Sequence, residues 1–299
     1  MIPVERRVRG PALAFETTLL CHGVPGHSAL ALHDELELIA RTGGAEPALI
    51  GVVTGRAVVG VSRTELGEMV ASNVPKANTS NLAAVMAAGT SAATTVSATM
   101  EIAAAAGVRV FATGGIGGVH RGYAEHLDVS SDLVAFSRFP VAVVSSGVKS
   151  ILDVGATREA LETMGVAVWG FQTDIFPEFY VRGGRHRVDA VFDSIERLAE
   201  ALAHTLARTG RGVVVANPIP SVSELDSKEW AGWLAEAERR VAANGVVGRG
   251  VTPAILGALH DASGGRTLEA NIALVKGNAR LGAALADQLR RTIGPRASF

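Results

Sequence analysis

Short apolar runs alternate with helical stretches along almost the whole chain, and this alternation limits the fold more than any other feature of the sequence. The runs Val108–Ala112, Val141–Val144, Val166–Trp169 and Gly212–Ala216 predict buried strands, and stretches that favour helix alternate with them along the chain. Strands of this kind, separated by helices, form sheets that helical layers cover on both faces. The pattern therefore predicts an α/β fold.

The remaining segments extend this prediction. Ala48–Val53 and Ala57–Val61 flank a Thr-Gly-Arg turn and predict a hairpin, whereas Thr94–Ala106 and Val191–Thr209 predict helices and the chain from Ser223 onward is mostly helical. Only 5% of the residues are aromatic, so Ala, Val, Leu and Ile must build the core, which suits helix-covered parallel strands. No linker or repeat interrupts residues 1–299. We predict one domain with three α/β/α layers, a mixed central sheet and a helical C-terminal portion.

Charge and composition exclude several classes of function. The net charge of −1 is scattered, so we expect no nucleic-acid partner. No apolar run reaches the roughly 18 residues that a membrane span needs, and the N-terminal residues lack the apolar core of a signal peptide. Cys21 is the single cysteine, which excludes an internal disulfide and fits a reducing compartment. The expectation is a cytoplasmic protein that acts on a small molecule.

Lys149 is the residue most indicative of chemistry. It follows the buried run Val141–Val144 and precedes a segment, opened by Ser150, that we expect to be helical. Burial at the end of a strand disfavours the charged form of a lysine, and a neutral amine is what a nucleophile or Schiff-base former needs. A lysine that pairs with an acid or extends to solvent is the structural alternative.

Two further ionisable residues are candidates for the same site. Glu16 interrupts an apolar, strand-like run between Ala12 and Gly23, and a buried carboxyl there would have the raised pKa of a general acid. The alternative is a frayed strand with Glu16 in water. Lys76, in the segment Asn73–Asn78, is a candidate for a phosphate contact or for lowering the pKa of Lys149 by like charge.

A glycine-rich loop and two aspartates follow the run Val108–Ala112. The loop, Thr113-Gly-Gly-Ile-Gly-Gly-Val-His120, predicts either an anion-binding turn or a plain tight turn, and its glycine spacing does not fit a dinucleotide-binding motif. Asp128 and Asp132 are four residues apart, so they either share a helix face or bracket a turn. Both arrangements offer oxygen ligands to Mn²⁺ or Mg²⁺. The alternative is two solvated acids, with Asp128 or Ser130 as a helix cap.

Two motif matches are rejected. Ser146-Gly-Val-Lys149 satisfies the S-x-x-K pattern of penicillin-recognising hydrolases, but the Lys-Thr-Gly partner motif is missing. Cys21 and His22 are neighbours on an expected strand, so their side chains would point to opposite faces and could not form a thiol–imidazole pair.

Several longer motifs occur in one order along the chain. They are the segments 15–25, 89–100, 110–122, 127–133, 147–153, 170–173, 215–220 and 271–275. With these motifs, from about residue 10 to residue 290, the chain resembles the pseudouridine-5′-phosphate glycosidase family, also called the indigoidine synthase A-like family.

The resemblance implies a role for each matching position. Lys149 would form a covalent adduct with C1′ of a ring-opened ribose, and Glu16 would protonate the departing base carbon. Asp128 would bind Mn²⁺, or another divalent ion such as Mg²⁺. The implied substrate contacts are Lys76, the backbone at Val96, His120, Ser130, Ser131, Asp132 and Asn271. The resemblance also implies a homotrimer that binds a sugar-phosphate or C-nucleotide substrate.

One segment departs from the family pattern. After the lysine that matches Lys76, the family usually has Ser-Arg-Arg-Asp-Leu, whereas this chain has Ala77-Asn-Thr-Ser-Asn-Leu82. The predicted reaction is cleavage of pseudouridine 5′-phosphate to uracil and ribose 5-phosphate. The neutral segment leaves open the reverse chemistry, in which a synthase joins ribose 5-phosphate to an aromatic polyketide-type acceptor. A catalytically idle sugar-phosphate binder is the hypothesis outside this enzyme class.

Overall fold

The computed structural model describes residues 2–245 and 251–293 of the chain, with a mixed sheet between helical layers. The strands are β1 (Val4–Arg6), β2 (Ala12–Glu16), β3 (Glu46–Val53), β4 (Arg56–Val59), β5 (Lys76–Ala77), β6 (Ala92–Thr94), β7 (Val110–Ala112), β8 (Val119–His120), β9 (Ala142–Ser145), β10 (Leu152–Asp153), β11 (Ala167–Phe171), β12 (Ala190–Phe192) and β13 (Val213–Ala216).

An 11-stranded sheet contains all of these strands except the small antiparallel pair β8 and β10. Its main order is β1-β4-β3-β2-β7-β9-β13-β11-β12, with β6 paired to β3 and β5 to β6. The run from β3 through β2 to β12 is parallel, and only the pairs β3–β4 and β3–β6 are antiparallel. The sheet is therefore mixed, as predicted.

Helices cover the sheet. They are α1 (Thr17–His22), α2 (Gly26–Thr42), α3 (Arg63–Ala71), α4 (Leu82–Ala87), α5 (Val96–Ala105), α6 (Tyr123–His126), α7 (Ser131–Arg138), α8 (Val154–Thr163), α9 (Ile195–Thr209), α10 (Ser227–Ala243), α11 (Val251–Ala262) and α12 (Arg266–Ile293). Helix α12 packs on α2, α9 and the strands β2, β7 and β9, whereas α5 packs on α7, β2 and β3. Within the described residues, no helix combines the length and the apolarity needed to cross a membrane.

Local sequence explains where well-formed helices begin and end. Helix α9 begins after Ser194, whose hydroxyl accepts the Arg197 N–H, and it ends at Gly210, which has a φ of 64°. Helix α3 begins with a capping box between Ser62 and Glu65. The predicted hairpin, strands and central helices are confirmed within a few residues.

Three local predictions are wrong. The chain after Glu16 forms helix α1 and does not continue the strand, because a short apolar run buries equally well as a helix turn. The segment after Lys149 forms β10, and the next helix begins only after Asp153, whose carboxylate accepts the Ala156 N–H. The helix predicted to begin at Val191 begins only at Ile195, because Ala190–Phe192 form the edge strand β12. The predicted C-terminal helix is confirmed over α10, α11 and α12, while residues 246–250 and 294–299 lie outside the described residues.

The strand order creates a crevice between β2 and β7. Within the sheet, β3, the next strand along the chain after β2, lies on one side of β2. Strands β7 and β9 lie on the other side, so the strand order reverses at β2. Ligands of open α/β sheets bind outside the carboxyl ends of the strands where the order reverses in this way. Strand β2 ends at Glu16, β7 leads into Thr113, and β9 leads into the segment that carries Lys149.

Candidate active site

A cavity of about 430 Å³ opens at this edge of the sheet, which is the size of a small-molecule site. The described residues that line it come from the strand ends, from α1 and from the α11–α12 region. They are Glu16, Thr18, Leu19, His22, Gly23, Val24, Pro25, Lys76, Thr113, Gly114, Gly115, Lys149, Ser150, Ile151, Phe179, Tyr180, Gly257, His260, Thr267, Leu268 and Asn271. Four of the predicted site residues, Glu16, Lys76, Lys149 and Asn271, therefore share one cavity.

Glu16 is buried, with 5% of its surface exposed, so the alternative of a frayed strand is excluded. Burial raises the pKa of its carboxyl group, and the positive charge of Lys149 and a hydrogen bond donated by the Thr113 hydroxyl oppose this rise. The net effect on the pKa is upward. A carboxyl group that holds its proton at the end of a strand can act as a general acid.

Lys149 is held by a backbone hydrogen bond from its N–H to the Ile116 carbonyl oxygen, at 3.0 Å. Its segment leaves β9 through Gly147, which has a φ of 78°. A Cβ at Gly147 would lie 1.9 Å from the Pro177 carbonyl oxygen, so only glycine fits this turn. The turn directs the half-buried Lys149 side chain into the cavity.

Lys76 faces the same cavity from β5. Partial burial and the positive charge of Lys149 lower its pKa, while the Glu16 carboxylate opposes this effect. The two lysines are therefore close enough for their positive charges to repel each other.

The glycine loop is shaped mainly by its packing. A Cβ at Gly115 would lie 2.6 Å from the Phe179 ring, and one at Gly118 would lie 2.2 Å from the Thr157 hydroxyl. The N–H of Ile116 bonds to the Gly147 carbonyl oxygen and that of Gly117 to the Asp132 carboxylate. These two donors are already used within the protein, so the loop acts first as a close-packing turn.

Asp132 fastens this loop to helix α5. Only 3% of its surface is exposed, and its oxygens accept the Gly117 N–H at 2.8 Å and the Ser97 N–H at 2.9 Å. Ser130 is the cap of α7, because its hydroxyl accepts the Asp132 N–H, and the Ser131 hydroxyl lies 3.0 Å from that of Ser97. These residues and Val96, the first residue of α5, lie outside the cavity lining. Their substrate contacts stay predictions.

Asp128 and His120 also lie outside the cavity lining. The Asp128 side chain is 52% exposed, and its Oδ2 lies 3.8 Å from the His120 Nδ1. Within the described residues, no group of three or more histidine, cysteine, aspartate or glutamate side chains could hold a metal ion. The two aspartates bracket a turn, with Asp132 buried and Asp128 exposed. Asp128, His120 and Asp132 therefore do not fit a metal site in which protein side chains supply all of the ligands.

Several residues that line the cavity were not predicted. Thr113 donates to Glu16, His22 bonds to the Val74 carbonyl oxygen, and the Phe179 and Tyr180 rings pack 4.6 Å apart. The position of Thr113 directly after a predicted strand was an available signal for that residue. No local pattern marks the aromatic pair, because it lies in a loop without regular structure.

Helix α12 joins the strand ends through Asn278, which is fully buried. Its Nδ2 donates to the Thr113 carbonyl oxygen at 2.8 Å, and its Oδ1 accepts from the Asn217 Nδ2 at 2.9 Å. Two turns earlier, the Oδ1 atom of Asn271 is buried at the cavity wall without a hydrogen-bond partner in the described part of the chain. A buried unpaired oxygen at a cavity wall is available to a ligand donor.

Replacement of Thr113 by valine should raise the pKa of Glu16 further. The Thr113 hydroxyl stabilises the ionised carboxylate by donating to it, and valine keeps the shape of threonine without this donor. The pKa is measured by a pH titration of the ¹³C-labelled Glu16 carboxyl group. Thr113→Ser is the matched control and should stay near the wild-type value. An unchanged pKa in Thr113→Val would contradict the assigned hydrogen bond.

The fold and the cavity define a three-layer α/β protein with a lysine and a buried carboxyl group of raised pKa at the carboxyl edge of a mixed sheet. Residues 4–288 match the model of the family described as "Indigoidine synthase A like protein". The chain belongs to this family.

Curated relatives cover almost the full length of the chain. A pseudouridine-5′-phosphate glycosidase of Nocardioides sp. is 45% identical over 280 residues, which are 92% of this chain and 91% of the relative. A protein of the same name from Alkaliphilus metalliredigens is 44% identical over 283 residues, covering 94% and 92% of the two chains.

Two solved structures share the fold. An indigoidine synthase A-like protein from Thermotoga maritima has a TM-score of 0.89 at 36% identity, over 96% of this chain and 97% of the other. The prealnumycin C-glycosynthase AlnA, in complex with ribulose 5-phosphate, has a TM-score of 0.88 at 34% identity over the same shares. The predicted fold class and family are confirmed.

Proposed function

We propose that this protein cleaves the C–C glycosidic bond of pseudouridine 5′-phosphate to uracil and ribose 5-phosphate, and that Lys149 and Glu16 carry the reaction. The observation that carries the proposal is that Lys149 and Glu16, a buried carboxyl group of raised pKa, line one cavity at the crevice between β2 and β7. The names of relatives at 44–45% identity support the same substrate.

The bond to be broken explains why both groups are needed. A carbon leaving group departs poorly, so the two-carboxylate mechanism of ordinary glycosidases would stall. The Lys149 amine forms a bond to C1′ as the bond from C1′ to the ring oxygen O4′ breaks, and O4′ takes the proton that the amine loses, which opens the sugar ring. When the bond from C1′ to the base breaks, its electron pair stays with the base carbon, which takes the Glu16 proton. C1′ is then doubly bonded to the lysine nitrogen, and water hydrolyses this imine to release ribose 5-phosphate and restore the amine.

The assay is incubation of the pure protein with Mn²⁺ and pseudouridine 5′-phosphate, with uracil release followed by absorbance. Release at a catalytic rate is the expected result. No release, with ribose 5-phosphate still trapped on Lys149 by borohydride, would indicate a C-ribosylating synthase. Neither release nor adduct would indicate an idle binder and would contradict the proposal.

A synthase is the second candidate, and segment 77–82 is the observation that favours it. The Asn81 amide donates to the Lys76 carbonyl oxygen at 3.1 Å, and the Asn78 N–H donates to the Asn81 side chain at 2.8 Å. A neutral side-chain network therefore supports the cavity lysine where the family pattern has charged residues. AlnA, named a C-glycosynthase, has the same fold.

A divalent ion remains part of the proposal, with Asp128 as its one proposed protein ligand. Ions such as Mg²⁺ often bind through one or two carboxylates, water and substrate phosphate, and an exposed aspartate is compatible with this.

Replacement of Asp128 by asparagine should weaken Mn²⁺ binding about tenfold or more, measured by electron paramagnetic resonance on the free protein. The exposed Asp193 supplies the control, as Asp193→Asn. Equal Mn²⁺ affinity in both variants, or a full rate after exhaustive chelation, would refute the assignment.

The homotrimer and the cytoplasmic location also stay predictions. Light scattering of the pure protein measures the first and fractionation of cells the second.

A further inference from the structure

His22 occupies a defined position on the cavity wall. It is the last residue of α1, the helix that begins directly after Glu16. Its Nε2 lies 2.9 Å from the Val74 carbonyl oxygen. A carbonyl oxygen only accepts hydrogen bonds, so Nε2 carries the proton in this contact. The Nδ1 of the neutral ring then holds a lone pair, and the ring lines the cavity.

The surroundings of this ring favour its neutral form. Burial and the positive charge of Lys76 lower the pKa of His22, while the bond to Val74 opposes this effect. A neutral ring whose only N–H is already used offers an acceptor and no donor. It therefore does not complement a phosphate dianion, which needs donors, and it does complement an N–H or O–H group.

The same wall suits a flat ring. Leu19, Val24, Pro25 and Leu268 line the cavity beside His22. Helix α1 has 6 residues, which span about 9 Å, comparable to a substituted six-membered ring. Because Glu16 protonates a ring carbon in the proposed reaction, the ring must lie on the Glu16 side of the substrate, and α1 leads away from Glu16 along that side.

We propose that His22 determines specificity for the ring: its Nδ1 accepts a hydrogen bond from an N–H or O–H of the ring held against the Leu19–Pro25 wall. This assignment rests on the proposed function, which it deepens by giving the ring its own subsite. A ring without such a donor would leave the lone pair buried and unpaired, and it would bind more weakly.

Two substitutions separate the acceptor from the contact with Val74. The Gln side chain of His22→Gln can place its amide N–H where Nε2 donates to Val74, but it offers no acceptor at the Nδ1 position. The Asn side chain of His22→Asn places its oxygen near the Nδ1 position and does not reach Val74. The reaction is measured in the direction of bond formation, because uracil and ribose 5-phosphate then bind as separate molecules.

His22→Gln should raise the KM for uracil about tenfold or more with little change in kcat. The ribose 5-phosphate adduct trapped on Lys149 should form as in the wild type. His22→Asn should recover most of the lost affinity for uracil. The exposed His27, replaced by glutamine, is the control and should leave both quantities unchanged.

Three results would overturn the assignment. His22→Gln could match the wild type in its KM for uracil. His22→Asn could be the weaker of the two variants, which would show that support of Val74 is the main role of the residue. His22→Gln could instead lose the ribose 5-phosphate adduct, which would place the phosphate at His22. A wild-type protein with neither turnover nor adduct would refute the proposed function itself and this assignment with it, a result distinct from the other three.

Discussion

Replacement of Lys149 by alanine is expected to abolish the borohydride-trapped adduct with ribose 5-phosphate and to lower uracil release by about 10⁴-fold or more. The amine is the group that becomes bonded to C1′, so its loss removes the covalent pathway and not only a favourable contact. The adduct is measured by mass spectrometry of the intact protein and of its peptides, and turnover by uracil release.

Two control variants make this test specific. Lys149→Arg keeps a positive charge beside Glu16, but a guanidinium group cannot replace the amine as a nucleophile, so this variant should be as inactive as Lys149→Ala. Lys76→Ala removes the second lysine of the cavity and should still trap the adduct on the Lys149 peptide. A Lys149→Ala protein that turns over near the wild-type rate, or an adduct found on Lys76, would refute the mechanism.

Replacement of Glu16 by glutamine is expected to lower uracil release by about 10²- to 10⁴-fold, the usual contribution of a general acid. Glutamine has nearly the same shape as the protonated carboxyl group, and its oxygen can accept from the Thr113 hydroxyl, but it cannot give a proton to the base carbon. The ribose 5-phosphate adduct contains no base, so its formation should persist. Loss of the adduct in Glu16→Gln would contradict the assigned role.

The same substitution has a predictable effect on stability. Burial raises the pKa of Glu16 in the folded protein, so the folded state holds this proton at pH values where the unfolded chain has lost it. The free energy of unfolding therefore falls as pH rises above the pKa of the unfolded chain. Glu16→Gln should remove this decline and melt at a higher temperature than the wild type at neutral and alkaline pH. Thermal unfolding across pH measures this and also shows whether the variant folds.

The structure limits what segment 77–82 can do for substrate choice. Of residues 76–82, only Lys76 is among the described residues that line the cavity. The Asn81 amide donates to the Lys76 carbonyl oxygen, and the Asn78 N–H donates to the Asn81 side chain. Residues 77–82 therefore do not line the part of the cavity that the structure describes, and they act on the substrate ring only through Lys76. The Leu19–Pro25 wall, which includes His22, is the better candidate for ring specificity because it lines the cavity directly.

Glu16 and Lys149, which line the same cavity, stood out in the sequence because each was out of place in its local pattern. A carboxylate in an apolar strand and a lysine at the end of another are visible in the sequence alone, because burying either charge is costly. The predictions for Asp128 and Asp132 were less discriminating. The two residues are both aspartates in one short segment, so the sequence could not show that Asp128 is exposed and that Asp132 accepts from two backbone amides. Those amides lie on distant segments of the chain.

The helix α1 shows the limit of local patterns within the fold. Residues 17–22, Thr-Thr-Leu-Leu-Cys-His, suit a strand as well as a helix, and six residues are too few for the two to differ in periodicity. The hydroxyl of Thr17 accepts the Thr94 N–H and donates to the Ile50 carbonyl oxygen, so contacts with two other strands hold the chain in this conformation.

By itself, the sequence determined the layered α/β fold, its hairpin and main strands, the buried acid and the lysine, because burial of apolar surface and the cost of burying charge act locally along the chain. Only the tertiary structure decided which side chains meet. The β2–β7 crevice brings Glu16 to Thr113 and Lys149 across separations of 97 and 133 residues. Asn278 of α12 joins three strand ends, and the Val74 carbonyl oxygen fixes the tautomer of His22 by accepting its Nε2–H. These contacts depend on strand order and helix packing, which long-range burial selects and no local pattern encodes.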